Sequence, residues 1–390
     1  MCDLQVAVIG VGNIGSAHAK ALAAGKVKGM RLAAVCDADP QKLSWAKQEL
    51  GCAVFSDSNE LINSGLADTV VIATPHYDHA PIAVAAFAHG LNVLTEKPIG
   101  VYTNQAKEML DAAQRSGKSF GIMFNQRTNP LFQKMREIVQ SGQLGELKRC
   151  VWIITNWYRT QAYYNSGTWR ATWAGEGGGV LMNQCPHQLD LWQWIFGMPK
   201  RIRGFCRYGQ WHDIEVEDDV TAYAEYDNGA SAVFITSTGD CPGTNRLEIT
   251  GDRGKLVWEN GELRMWKLKT PERVLCVSAK EGFLHPETEL ELLPTDEKIP
   301  GHIGILQNFA DHILKGTPLL APGAEGIRAL EISNAIHLSD WTDEWVELPM
   351  DGDRFEAMLN EKRAHSVPKH TMASDENAPK GEYMTRWNVQ

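Results

Sequence analysis

The sequence predicts an α/β protein of two domains, a doubly wound parallel sheet followed by an α+β domain with an open, mostly antiparallel sheet. The chain has 390 residues, enough for two or three domains. Up to residue 125, short apolar runs alternate with helical segments, and from 126 to 345 longer runs of alternating polarity take over. The last stretch, 346–390, is polar and predicts an extended or partly disordered tail.

The first domain shows strands that are apolar on both faces, joined by segments long enough for crossover helices. The predicted strands are residues 6–10, 31–37, 69–73, 92–95 and 119–124, and the predicted crossover helices are 15–24, 81–89 and 103–116. Apolar strands joined in this way indicate a parallel sheet that helices cover on both sides.

In the second domain, alternating polarity indicates antiparallel strands with one solvated face. The predicted strands are residues 148–155, 220–226, 231–238 and 246–250, with turn signals at 227–229 and 251–254 and helical periodicity at 303–314 and 326–338. An open sheet leaves apolar area uncovered, so we expect a symmetric homo-oligomer formed sheet to sheet.

Charge and cysteine content exclude several classes of protein. Lys and Arg number 38 against 48 Asp and Glu, a net charge of −10, which argues against nucleic acid or an anionic membrane as partner. The eight cysteines form no C-x-x-C pair, as expected for reduced thiols. Because the sequence shows neither a signal peptide nor an apolar run of about 18 residues, we expect a cytoplasmic protein.

A glycine-rich turn follows the first strand and opens the first helix. Gly10, Gly12 and Gly15 form G-x-G-x-x-G, with Asn13 and Ile14 at the helix start. In a Rossmann domain the first glycine permits the turn, the second admits a pyrophosphate and the third packs helix on strand. The helix N-terminus then offers N–H groups to the phosphates. Glycines in an ordinary β-to-α turn are the alternative.

The second strand ends in Asp37, 22 positions after Gly15. A dinucleotide-binding fold places there the carboxylate that binds the adenosine ribose, and we expect Ala38 beside it. A carboxylate repels a 2′-phosphate, and the following Ala-Asp-Pro offers no Arg, so NAD is favoured over NADP. The alternative is that Asp37 only caps a loop.

Two further predicted strands end at the same edge of the sheet as the glycine turn and Asp37. Ligands of open parallel sheets bind in a crevice outside the carboxyl ends of the strands, so residues at these ends are candidate cofactor contacts. A Lys directly after an apolar strand can stabilise a developing alkoxide or tune a neighbouring acid. A surface Lys before a turn proline is the alternative. The predicted cofactor contacts are Thr74, Pro75, His76 and His79 after one strand, and Glu96 and Lys97 after the other.

A run of three glycines precedes a helix-like stretch that contains Asn183 and His187. Four residues apart on a helix, both side chains project from one face. Histidine is the usual proton acceptor near neutral pH, which makes His187 a candidate base. A satisfied core histidine is the alternative.

From about residue 4 to about 340 the chain resembles the Gfo/Idh/MocA oxidoreductases. The residues that carry the resemblance are the glycine turn, Asp37, Glu96-Lys97-Pro98, the Gly-Gly-Gly helix start with His187, and Glu325-Gly326. The resemblance implies that Lys97 and His187 are catalytic and that a cis peptide precedes Pro98. It also implies that Asn125, Trp169 and Arg170 lie beside the nicotinamide.

One position departs from the family pattern. Dehydrogenases of this family usually carry Asp four residues before the catalytic His, where this chain has Asn183. An amide is not a base, but it donates to and accepts from a sugar hydroxyl. Loss of the carboxylate also removes one stabiliser of a protonated His187. The substitution indicates a specialised subgroup.

Aromatic residues concentrate in residues 152–194, which hold six of the thirteen tryptophans. Aromatic faces stack on pyranose rings, and we predict Tyr158, Arg159 and Tyr164 as sugar contacts. About half of these aromatics are expected in the core instead. His76, His79 and Cys185 match no zinc spacing, so we expect no metal.

Together these features predict an NAD-dependent dehydrogenase acting on a secondary hydroxyl of a sugar, glycoside or cyclitol. The sequence of residues 183–187, Asn-Gln-Cys-Pro-His, resembles that of glucoside 3-dehydrogenases, which implies oxidation at C3. One alternative is a glycoside-cleaving enzyme that keeps NAD bound and oxidises C3 transiently. Another is a non-catalytic sugar or NAD sensor, against which the presence of Lys97 and His187 argues.

Overall fold

The computed structural model describes residues 3–294 and 298–367, which form two sheets that follow one another along the chain. The strands are β1 (Leu4–Ile9), β2 (Met30–Cys36), β3 (Ala53–Phe55), β4 (Thr69–Ile72), β5 (Asn92–Thr95), β6 (Phe120–Ile122), β7 (Leu147–Ile154), β8 (Arg201–Tyr208), β9 (Glu217–Glu225), β10 (Ser231–Ser237), β11 (Asn245–Gly251), β12 (Gly254–Glu259), β13 (Glu262–Leu268), β14 (Thr288–Leu293) and β15 (Val346–Glu347). The helices are α1 (Asn13–Ala23), α2 (Pro40–Glu49), α3 (Ser58–Asn63), α4 (His79–Ala88), α5 (Thr103–Ser116), α6 (Pro130–Gln140), α7 (Gln161–Tyr164), α8 (Pro186–Phe196), α9 (Glu272–Ser278), α10 (Gly301–Lys315), α11 (Gly326–Thr342) and α12 (Gly352–Ala364).

The first sheet is parallel throughout, with strand order β3-β2-β1-β4-β5-β6. This confirms the predicted doubly wound sheet. All residues of β4, β5 and β6 are buried, as expected for strands that helices cover on both faces. The strand order reverses between β1 and β4, which opens a crevice at their carboxyl ends.

The second sheet has nine strands in the order β14-β13-β12-β11-β7-β10-β9-β8-β15. Only the β7–β10 pair is parallel among its described ladders, which confirms a mostly antiparallel sheet. Helix α11 packs on β8 and on α8 and covers one face. On the other face Phe205 and Tyr223 are 53% and 37% exposed, so this face is open.

The structure corrects two local predictions. Helix α8 begins at Pro186, so Asn183 lies in the turn before it rather than on the same helix as His187. A proline at the first helical position lacks the N–H that would continue the preceding turn. The predicted tail instead contributes β15, which pairs with β8, and α12, which packs on α5. The rest of that tail, 368–390, lies outside the described residues.

Candidate active site

The glycine turn after β1 is shaped by close approaches of the backbone. Gly10 has a φ of +87°, and a Cβ there would lie 2.6 Å from the Ala73 carbonyl oxygen. A Cβ on Gly15 would lie 1.8 Å from the Gly10 carbonyl oxygen, whereas one on Gly12 would meet no atom within 4 Å. The first and third glycines are therefore required by packing, and the second faces open space.

That open space lies at the N-terminus of α1. The helix begins at Asn13, so the N–H groups of Asn13, Ile14 and Gly15 have no partner within the helix. Together with the helix dipole they form a site for an anionic group. The turn therefore fits the pyrophosphate of a dinucleotide.

Asp37 lies directly after β2, beside this turn. Its carboxylate accepts a hydrogen bond from the Val11 N–H at 2.8 Å and faces the Lys42 ammonium at 3.3 Å. Ala38 is exposed next to it. Sequence reasoning missed Lys42, which lies near the start of α2 and contacts the Asp37 carboxylate.

Two buried histidines follow β4, and their contacts give them different roles. His76 approaches the Glu176 carbonyl through Nδ1 at 3.0 Å and Trp169 edge to face at 6.1 Å, which places it at the crevice. Burial lowers the pKa of His76 to about 3, so its ring is neutral. His79 is fully buried, and its two nitrogens lie 2.8 Å from the Pro98 carbonyl and 2.9 Å from the Thr74 carbonyl.

His79 was predicted as a cofactor contact, and the structure instead uses it to join the two loops that follow β4 and β5. Both of its ring nitrogens are occupied by backbone carbonyls of those loops. Beside it, the Thr74 hydroxyl is buried with no hydrogen-bond partner among the described residues. Such an orphaned hydroxyl, next to Pro75, fits a bound polar ligand.

Glu96 and Asn125, at the ends of β5 and β6, meet two histidines that sequence reasoning missed. His18 of α1 pairs with Glu96 at 2.8 Å, and His302 of α10 lies 3.4 Å from the Asn125 amide nitrogen. Burial raises the pKa of Glu96, but the hydrogen bond and charge of His18 outweigh burial and lower it overall. Burial lowers the pKa of His302 to about 4. The Asn125 Oδ1 is buried without a partner among the described residues, which fits a bound cofactor amide.

Lys97 connects the two domains. The Lys97–Pro98 peptide is cis, as the resemblance implied. The Lys97 ammonium donates to the Asn183 carbonyl oxygen at 2.9 Å, and burial lowers the pKa of Lys97. This contact joins the loop after β5 to the turn that leads into α8.

His187 is the second residue of α8 and is 1% exposed, with its ring edge to face with Phe124 at 6.3 Å. Burial lowers the pKa of His187 well below its ordinary value, and the nearby positive charge of Lys97 lowers it further. The imidazole is therefore neutral at physiological pH and able to accept a proton.

Asn183 belongs to a partly buried polar cluster around the buried Glu176. Its Nδ2 donates to the Glu176 carboxylate, and its Oδ1 accepts from the Tyr163 hydroxyl at 3.3 Å. Arg170 donates to the same hydroxyl at 2.7 Å and lies 3.8 Å from Glu176. Sequence reasoning missed Glu176 and Tyr163, although Glu176 directly precedes the glycine run.

The predicted sugar contacts are placed unequally. Tyr164 is 2% exposed and its hydroxyl pairs with that of Thr238 at 2.8 Å, so it belongs to the core and the prediction is corrected. Adjacent residues of the one-turn helix α7 point in different directions, which brings Tyr163 to the site instead. Arg159 lies over the Tyr163 ring at 5.0 Å, and Tyr158 is half exposed at the rim.

Arg127, which sequence reasoning did not single out, holds α8 in place. It is fully buried and donates to both oxygens of Asp190, one turn after His187, at 2.8 and 2.6 Å. It also pairs with Glu325. This network fixes the helix that carries His187 to the segment that follows β6 and to the turn before α11.

Comparison with known proteins agrees with this geometry. The family described as "Oxidoreductase family, NAD-binding Rossmann fold" matches residues 4–124, and the "GFO/IDH/MocA C-terminal domain" matches residues 132–257. The chain belongs to the Gfo/Idh/MocA family. Its first domain is thus an NAD-binding Rossmann domain, which confirms the cofactor expected from the glycine turn and Asp37. In residues 3–294 and 298–367 no cluster of three His, Cys, Asp or Glu side chains could hold a metal, and no helix has the length and apolar character to cross a bilayer.

Individual Gfo/Idh/MocA proteins are similar over different lengths. Inositol 2-dehydrogenase of Rubrobacter xylanophilus is 29% identical over 49% of this chain, which spans about half (52%) of that protein. Levoglucosan dehydrogenase of Pseudarthrobacter phenanthrenivorans is 26% identical over 90% of this chain and 99% of its own length. The WlbA dehydrogenase of Bordetella pertussis, solved with NADH and UDP-GlcNAcA, has a TM-score of 0.78 at 25% identity, covering 90% of this chain and 99% of that one.

Proposed function

We propose that this protein is an NAD-dependent dehydrogenase that oxidises a secondary hydroxyl of a sugar, glycoside or cyclitol. The observation that carries the proposal is the hydrogen bond from Lys97 to the Asn183 carbonyl, because it brings a cation beside the NAD crevice to the turn that leads to His187. The similarity to inositol 2-dehydrogenase and levoglucosan dehydrogenase supports a polyhydroxylated substrate.

In this mechanism bound NAD supplies the hydride acceptor. The glycine turn, Asp37 and Asn125 would hold it. The neutral imidazole of His187 accepts the hydroxyl proton while the C–H hydride leaves, so an alcohol becomes a ketone and the proton stays on His187. The Lys97 ammonium stabilises the negative charge that develops on the substrate oxygen. Each residue therefore acts on the same C–O–H group.

The polar cluster around Asn183 suits a substrate with several hydroxyls. Tyr163 and Asn183 both donate and accept hydrogen bonds, and Arg170 lies 4.6 Å from the Trp169 ring. Trp169 and Tyr158 offer apolar faces on which a pyranose ring stacks. Within this class we propose C3 of a glucosyl unit as the oxidised position, because residues 183–187 resemble those of glucoside 3-dehydrogenases.

The direct test assays NADH formation at 340 nm with glucose, aryl glucosides, levoglucosan and inositols, and locates the new ketone by NMR. Lys97→Ala and His187→Ala are each expected to lower kcat by about 10²–10⁴-fold, the range for loss of a positioned acid or base. Lys26→Ala, an exposed lysine away from the crevice, is the matched control. No NADH with any substrate, or full activity in both variants, would refute the proposal. Aglycone release without net NADH would assign glycoside cleavage instead.

We also propose that the open face of the second sheet forms a homo-oligomer. Val151, Val233 and Tyr223 lie in register across β7, β10 and β9 on this face, with Phe205 beside them on β8. Such an exposed apolar patch is typical of an interface. Light scattering is expected to show an oligomer for the wild type and a monomer for Phe205→Glu/Tyr223→Arg. A wild-type monomer would contradict this proposal.

A further inference from the structure

The crevice contains a buried carboxylate, Glu176, just before the glycine run. Where related dehydrogenases usually carry Asp, this chain has Asn183, yet the side chain of Asn183 touches the carboxylate of Glu176. Glu176 is 1% exposed, and its second oxygen accepts the Ala171 N–H at 2.6 Å. The negative charge missing at position 183 is therefore present one side chain further away.

The charges that face Lys97 show why this carboxylate matters. Two anions act on the ammonium, Glu96 from the same strand end and Glu176 from the loop before the glycine run, and both raise the pKa of Lys97 against the effect of burial. The cation Arg170 opposes them. The remaining titratable neighbours are Cys185, His76, His187 and His302, whose pKa values place them in neutral form.

Glu96 is already committed to another partner. The His18 ring forms a hydrogen bond with it at 2.8 Å, and both groups are buried. Arg170 lies 3.8 Å from Glu176, and donors from Ala171 and Asn183 bind its two oxygens, which favours its ionised form. Burial is the larger effect and raises the pKa of Glu176 overall, and these contacts offset part of that rise.

We propose that Glu176 is a positioning residue that holds the charge of the Lys97 ammonium and orients the side chain of Asn183. A carboxylate only accepts hydrogen bonds, so the amide must present Nδ2 to Glu176 and keep Oδ1 for Tyr163 and the substrate. Glu176 and Asn183 thus form a matched pair, because a carboxylate at position 183 would face a like charge. The consequence for catalysis rests on the proposed function.

The test measures the ionisation of Lys97 without substrate. The rate at which acetic anhydride modifies Lys97 is followed against pH by mass spectrometry, because only the neutral amine reacts. The midpoint is the pH at which Lys97 reacts at half its maximal rate. Glu176→Gln is expected to lower this midpoint by about one pH unit or more, because it removes a neighbouring opposite charge. Glu176→Gln/Asn183→Asp, which moves the carboxylate to the family position, is expected to restore it. An unchanged midpoint in Glu176→Gln, or no recovery in the double variant, would overturn the proposal.

A second variant covers the case in which Glu176→Gln does not fold, judged by its melting temperature and by tryptophan fluorescence on NAD binding. Arg170→Gln/Glu176→Gln removes the cation and the carboxylate together, so that neither is left without the other. Its Lys97 midpoint is expected to lie below that of Arg170→Gln alone, and equal midpoints overturn the proposal. If the enzyme is a dehydrogenase, the alkaline limb of kcat moves in parallel with each midpoint. If no substrate is oxidised but the midpoints move, the proposed function fails and the role of Glu176 stands.

Discussion

Replacing Arg127 with Met is expected to destabilise the protein strongly, because it leaves a buried carboxylate without its partner. Arg127 is fully buried and binds both oxygens of Asp190, which is itself 1% exposed. Removing one member of a buried ion pair costs about 3–5 kcal/mol. At about 2–4 °C per kcal/mol, the melting temperature should fall by roughly 6–20 °C. The variant should also lose activity, since α8 carries His187.

Two variants separate the lost ion pair from lost packing. Arg127→Met/Asp190→Asn removes the fully buried pair and is expected to recover about half of the lost stability, because the buried carboxylate is gone and Glu325 still has Arg328 at 3.8 Å. Arg136→Met is the matched control, since its guanidinium lies 4.6 Å from the same Trp194 ring that Arg127 contacts at 5.1 Å. Arg136 has no salt bridge among the described residues. A cost below about 1 kcal/mol for Arg127→Met would refute the reasoning.

Proton transfer, cofactor choice and the interior each give a measurable outcome. The kcat/KM for oxidation should stay constant between about pH 8 and pH 6, because burial lowers the pKa of His187. At alkaline pH it should fall as Lys97 loses its proton, and this fall should begin below the ordinary lysine pKa of 10.5 because burial lowers the pKa of Lys97. A loss of kcat/KM near pH 6.5 would contradict the prediction for His187. Asp37→Ala should raise the KM for NAD about tenfold. The ratio of kcat/KM with NAD to kcat/KM with NADP should decrease, because Lys42 remains to pair with the 2′-phosphate of NADP. Tyr164→Phe should cost about 1 kcal/mol in a denaturant titration with kcat unchanged, because the interior hydrogen bond to Thr238 is lost.

The first sheet could be predicted closely because both of its faces are buried. Strand β5 (Asn92–Thr95) and helix α5 (Thr103–Ser116) have the bounds predicted from the sequence. Continuous apolar runs and helix periodicity are local signals, and neither depends on the second domain. Strand β3 was missed because three residues carry too little pattern to be recognised.

The candidate site could be predicted only in part, because its polar contacts are tertiary. Lys97 and His187 follow recognisable strand and helix signals. Tyr163 and Tyr164 are adjacent in a four-residue helix, where no periodicity decides which one faces the crevice. Glu176 lies in irregular backbone and contacts Asn183 through the geometry of the turns that precede α8. No local sequence pattern predicts contacts of this kind.

The distribution of charge in the crevice is consistent with the direction of the proposed reaction. Bound NAD would lose the positive charge of its ring on accepting the hydride, and the proton taken up by His187 would restore one positive charge, so the net charge of the crevice would not change. The charge of Lys97 lowers the pKa of His187, which favours release of that proton afterwards. A carboxylate directly beside His187 would retain the proton. Placing the carboxylate on Glu176, where it acts on Lys97, keeps the ammonium charged without trapping the proton on His187.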